Sequence, residues 1–268
     1  MVCSNTLYAI REVADITGVK PVTLRAWQRR YNLIQPQRSD KGHRLYTAQD
    51  VERINTIQSW LSKGVSIGKV KALIDSKTLT QADMETEQLE EVTVLLDALG
   101  TVNSKKVDAI IDTVLKEYPL DVVEGKFVIP VLNATEFLKL SPKAIQQSLF
   151  KTAMIQKLAI MANLERKRKR SAPTLLVSMD VSGNLFAWLW YARLSEQGAS
   201  VTFIDGVEDV SALLGEPMEF DLVHLFAEKS LSEKQLEAIR LQRDRADPAW
   251  SLSPVIEHLL DNKVSKTL

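Results

Sequence analysis

The apolar positions recur first at helical spacing and, late in the chain, at strand spacing. Val13, Ala14 and Ile16 predict a short helix from about Arg11 to Thr17, ended by Gly18, the residue that tolerates a left-handed backbone past a helix end. Pro21 suits the first position of a second helix, in which Leu24, Trp27 and Tyr31 recur at i, i+3 and i+7. Arg25, Arg29 and Arg30 lie off that stripe. From Pro36 to Tyr46 a polar turn centred on Asp40 to Gly42 sits between short β-capable flanks, which predicts a small hairpin wing. Thr47 with Asp50 three residues on resembles a capping box, and Val51, Ile54, Ile57, Trp60 and Leu61 then keep helical period until Gly64. Ser66 can cap a fourth helix with Ile67, Val70, Leu73 and Ile74 apolar.

Ser76, Lys77, Thr78, Thr80, Gln81 and Asp83 then read as a polar linker over 77–83. Four helical patterns follow, at Met84–Leu99, Ser104–Tyr118, Leu120–Leu140 and Pro142–Lys167, separated by Gly100, Pro119 and Ser141-Pro142. Pro130 should kink the third. In the fourth, Ile145, Leu149, Met154, Leu158 and Met161 give the broad apolar face of a four-helix bundle. The basic run Glu165–Arg170 is read as an interdomain junction. Thr174–Met179, Ser200–Ile204 and Asp221–Phe226 read as strands, with Ala249–Leu252 a weaker fourth. Helices are expected at Leu185–Leu194, Ser232–Arg245 and Pro254–Leu260. Strand, helix, strand implies parallel pairing, so a shortened flavodoxin-like sheet is expected. The expected fold is mainly α plus α/β: a winged helix-turn-helix at 1–76, the linker, a helical bundle at 84–167 and an α/β domain at 168–268.

Charge sharpens this outline. The 268 residues carry formal net charge zero, yet residues 1–77 hold 13 Lys/Arg against 6 Asp/Glu, a net of +7. Residues 171–268 hold 8 against 15, a net of −7. A basic head on acidic bodies is expected when only one end meets a polyanion. With 45% hydrophobic and 25% charged residues the chain has the composition of a globular protein. The single Cys3 and the three histidines His43, His224 and His258 offer neither an internal disulfide nor a zinc site, so no metal is expected. No apolar run approaches the roughly 20 residues that span a bilayer, and the expectation is a cytoplasmic protein with no membrane partner. No phosphate loop, nucleophile elbow, HExxH or paired-carboxylate motif is present, so no catalysis is expected.

Tyr8-Ala9-Ile10-Arg11-Glu12-Val13-Ala14, Thr23-Leu24-Arg25-Ala26-Trp27-Gln28-Arg29-Arg30-Tyr31 and Gly42-His43-Arg44-Leu45-Tyr46 together resemble the MerR family of winged helix-turn-helix regulators. From Pro21 to Lys71, with Pro36-Gln37-Arg38 and Lys69-Val70-Lys71, the likeness is to its MlrA/BluR-like branch. The resemblance implies a sequence-specific transcription factor that binds double-stranded DNA, pairs as a homodimer, and controls genes of biofilm matrix or related surface functions. Arg25 and Arg29 are then the leading groups for the major groove, since arginine can grip guanine with two hydrogen bonds. Thr23 and Arg30 share that helix. Trp27 lies on the buried stripe, but the matching aromatic position in the family touches phosphate, and an indole can do both if its N–H reaches the surface. Arg38, Lys41, His43 and Arg44 in the wing, and Lys69 in the fourth helix, are phosphate candidates. Tyr46 is expected in the core.

The same resemblance raises the question of cobalamin, whose binding in that family uses an Asp-x-His-x-x-Gly motif at the start of the flavodoxin-like domain and Trp-x9-Glu-His in the bundle. Here Gly183 falls where the histidine of the first motif should stand, neither Asp180 nor Ser182 nearby is a good cobalt ligand, and the bundle contains no tryptophan and no histidine. No cofactor is therefore expected, and the α/β domain is expected to serve dimerisation or a regulatory protein partner. Two alternatives stay open: a cobalamin- or light-sensing regulator, and a regulator switched by an antagonist protein.

Overall fold

The computed structural model describes residues 6–63, 65–75, 88–166, 173–210, 219–243 and 249–264. The chain divides into two compact units, Met1–Ala153 and Met154–Leu268.

In the first unit, α1 (Ile10–Thr17) opens with the Glu12 carboxylate accepting the Ala9 N–H at 2.6 Å. It ends at Gly18, whose φ of 70° lets its N–H return to the Ala14 carbonyl. Helix α2 (Pro21–Tyr31) starts on Pro21 and stops at Asn32, again left-handed at φ 52°. Strands β1 (Tyr8–Ala9), β2 (Gln37–Arg38) and β3 (Arg44–Tyr46) form an antiparallel sheet in the order β1-β3-β2. The hairpin is the expected one, with Ser39 N–H donating to His43 O across the turn. Strand β1 was not expected; two residues carry too little alternation to register as a strand. Thr47 and Asp50 cap α3 (Ala48–Ser62) reciprocally, each side chain accepting from the other's backbone N–H. Helix α4 (Ile67–Asp75) closes the head, whose centre holds Val13, Leu24, Trp27, Tyr46, Ile54 and Ile57.

The unit continues with α5 (Glu91–Gly100), α6 (Ser104–Glu117), α7 (Leu120–Val123) and α8 (Ile129–Glu136); α9 (Leu140–Arg166) begins in this unit and ends in the second. The expected linker 77–83 and the start of the helix expected from Met84 lie outside the described residues. The third expected helix, Leu120–Leu140, is not continuous: a π-helical turn at Glu124–Val128 separates α7 from α8. Its cause is legible. Pro130 has no N–H for the Lys126 carbonyl four residues back, and that carbonyl instead accepts the N–H of buried Leu89 at 2.9 Å.

The second unit is a parallel sheet in the order β5-β4-β6-β7, formed by β4 (Pro173–Ser178), β5 (Ser200–Asp205), β6 (Leu222–Phe226) and β7 (Ala249–Leu252). Helices α10 (Leu185–Glu196), α11 (Glu233–Arg243) and α12 (Pro254–Val264) accompany it. Because side chains alternate along a strand, Leu175, Val177, Val223 and Leu225 pack with Leu236, Ile239 and Ile256 on one face. Leu176, Val201 and Phe226 pack with Ala187, Tyr191 and Ala162 on the other. Most of the basic run after Glu165 lies outside the described residues. Among the described residues no helix is long and apolar enough to cross a membrane.

Candidate nucleic-acid interface

Helix α2 exposes Arg25 and Arg29 because its apolar stripe is occupied elsewhere: Leu24 and Trp27 are wholly buried, and residues at i+1 and i+5 from Leu24 point off that stripe. The turn at Asn32 and the chain to β2 then bring the wing beside this helix. Arg44 on β3 donates its Nε–H to the Gln28 side-chain carbonyl at 2.6 Å, tying wing to helix. Burial, and after it the like charges of Arg38, Arg29 and Arg25, with Tyr46 opposing, lower the Arg44 guanidinium below its usual pKa. Arg25, Arg29, Arg38 and Arg44 are thus close enough to share one field. Arg38 and Lys41 are exposed, and Arg38 reaches back to the Gly42 carbonyl at 3.4 Å. His43 is exposed, with its backbone N–H held by Ser39 Oγ at 3.1 Å. A convex helix flanked by a cationic hairpin presents charge to a groove and to the phosphates beside it.

Four of the expected contact residues sit differently. Thr23 is buried at 1% exposure. Trp27, for which the stripe favoured the core and the family resemblance a phosphate contact, is buried, and its Nε1 donates at 2.8 Å to the Glu117 carbonyl at the end of α6. Arg30 is half exposed but its guanidinium is paired with the Glu117 carboxylate. Lys69 stands beside Glu90 at 2.6 Å, an exposed pair. Two participants were not foreseen, Gln28 and Glu117. The second had a readable signal: Ile110, Val114 and Glu117 follow helical spacing, so a carboxylate falls on the apolar stripe of α6, where a charge is tolerated only with partners.

In the second unit the polar residues gather at the carboxyl edge of the sheet. The Asp180 carboxylate accepts the N–H groups of Glu228 and Lys229 and the Asn184 amide. The Asp205 carboxylate accepts Gly183 N–H at 2.8 Å, Trp188 Nε1–H at 3.1 Å and the Ser182 hydroxyl. These side chains are engaged with one another and offer no imidazole at the edge. His224 lies within β6, buried against Trp190. The residues present do not fit a cobalt ligand. Among the described residues no group of three or more His, Cys, Asp and Glu could hold a metal ion.

The head therefore has the parts of a helix-turn-helix DNA-binding regulator. Residues 8–77 match the family described as MerR HTH family regulatory protein. The HTH-type transcriptional regulator MlrA of Escherichia coli K12 is 32% identical over 194 residues, covering 72% of this chain and 77% of that protein. The HTH-type transcriptional repressor CarA of Myxococcus xanthus is 26% identical over 126 residues, covering 46% of this chain and 43% of that one. The HTH-type transcriptional repressor CarH of the same organism is 34% identical over 67 residues, or 25% and 22% of the two chains. The chain belongs to the MerR family of DNA-binding transcriptional regulators.

Proposed function

We propose that Arg25 and Arg29 read base edges in the major groove while Arg38, Lys41, His43 and Arg44 hold the adjoining phosphates, in a winged head that works in pairs as a homodimer. The observation that carries this is the Gln28–Arg44 bond, which fixes the wing to the recognition helix so that both can meet one stretch of duplex. Phosphate contacts supply affinity and base contacts supply sequence choice, so the two groups have separable signatures. The likeness to the MlrA/BluR-like branch supports matrix or surface genes as targets, and the second unit would then govern when the paired heads act. A cobalamin-sensing regulator is the weaker reading, given the carboxyl edge just described.

The test uses the duplex that tagged protein enriches by immunoprecipitation from its own genome. Arg25→Ala should weaken that duplex by about 1 to 3 kcal/mol and blur preference at one base pair. Lys41→Ala should weaken cognate and random duplexes alike and reduce the dependence on salt. Equal losses on both duplexes for both variants would show that the division of labour is wrong.

A further inference from the structure

Building on that placement of α2, we propose that Glu117 is a positioning residue for DNA recognition: it docks the last turn of the recognition helix on α6 and withholds Arg30 from DNA phosphate. The Glu117 side chain is 1% exposed, and a carboxylate so deeply buried persists as a charge only beside donors. It has two from α2, the guanidinium of Arg30 and the Tyr31 hydroxyl at 2.5 Å. The main-chain carbonyl of the same residue takes the third, Trp27 Nε1–H. Trp27, Arg30 and Tyr31, at i, i+3 and i+4 on one face of α2, thus converge on one residue some 90 positions later in the chain.

The next residue continues the joint. Tyr118 is wholly buried, its oxygen accepts the Ile67 N–H at the start of α4, and its hydroxyl donates to Glu91 on α5. Glu117 and Tyr118 therefore bind α2 and α4 of the head to α5 and α6. Arg25 and Arg29 lie off the Trp27 stripe and take no part in the Glu117 bonds, so the joint leaves them to the groove while Arg30 is engaged. A cation already matched by a buried carboxylate attracts few counterions, and has few to release when duplex arrives. Displacement of α6 would both tilt α2 and set Arg30 loose, which makes this joint the route by which a change in the helices after the head reaches the DNA-reading surface.

The salt dependence of binding reports the difference. With the full-length protein and its immunoprecipitated duplex, Arg30→Ala should leave the slope of log affinity against log salt unchanged, while Lys41→Ala flattens it by about 0.9 for each bound head. Glu117→Gln should steepen it by about 0.9 for each bound head, and adding Arg30→Ala to Glu117→Gln should return it to the parent value. The Trp27 bond uses the backbone of residue 117 and survives the substitution. If Arg30→Ala alone flattens the slope as much as Lys41→Ala does, the inference is overturned, whether or not the Glu117 variant folds. If Lys41→Ala leaves the slope unmoved while Arg30→Ala also does, the wing assignment fails and the joint stands.

Discussion

His224 shows how much a single residue can say about the second unit. It is 6% exposed on β6, its ring meets Trp190 edge-on at 5.3 Å between centroids, and neither ring nitrogen has a hydrogen-bond partner among the described residues. Burial lowers its pKa below the ordinary histidine value, so the folded chain keeps the ring neutral where the unfolded chain would protonate it. Stability from this group is present above about pH 6.5, the ordinary value, and is lost as pH falls from there through the folded value. Thermal melts should accordingly shift down between pH 7.5 and 5.5, and His224→Phe should remove that shift without loss at pH 7.5, since two unpaired polar atoms go with it. A variant as acid-sensitive as the parent would show that another group titrates. Such a residue is hard to read in sequence, because a histidine in an apolar run is silent about whether its nitrogens find partners. Trp27 is the opposite case: its place on the Leu24 and Tyr31 stripe announced burial, and only the Glu117 carbonyl that takes its N–H came from outside the local pattern.

At the scale of elements, capping and period made the head readable almost residue for residue, as with Gly18 after α1, Pro21 at the start of α2 and the Thr47–Asp50 box before α3. Three of the four parallel strands were equally legible, because their apolar runs alternate with helical ones, and the short Ala249–Leu252 was the weaker reading. What escaped depended on distant partners. Strand β1 exists because Tyr8 and Ala9 find Tyr46 and Leu45, and the π-helical turn holds because Leu89 satisfies a carbonyl that Pro130 cannot. The end of β5 depends on a close approach of the same kind. Gly206 follows Asp205 with φ 83°, and a Cβ there would lie 2.9 Å from the Ser182 Cβ and 3.2 Å from its backbone nitrogen. Gly206→Ala should therefore destabilise by about 1 to 3 kcal/mol or more, pushing the Ser182–Gly183 turn off the Asp205 carboxylate. Gly42→Ala, at φ 78° with nothing near its Cβ position, carries the backbone strain alone and should cost less. Chemical denaturation of both variants checks the order, and equal losses would mean that the Ser182 contact yields without cost.

For the molecule as a whole, the segregated charge decides what a binding measurement can count. Residues 1–77 are net +7 and residues 171–268 net −7, so the chain is neutral in sum, with its largest excess of cations in the part that carries the wing and α2. Net charge of zero gives no general attraction to nucleic acid, which leaves the local phosphate contacts to set the salt dependence. If Arg38, Lys41 and Arg44 each hold one phosphate, a single head should give a slope of about −3 in log affinity against log salt, and two heads on one duplex about −5. Pairing is what a small head needs in order to cover enough DNA for specificity, and paired half-sites mirror the symmetry of a dimer. The expected result is the steeper slope on an intact site and the shallower one when one half-site is scrambled. A slope near −3 on the intact site, with one protein per duplex by sedimentation, would instead describe a head that works alone. In that case the Glu117 joint would tune a single contact surface, with no second head to set in register.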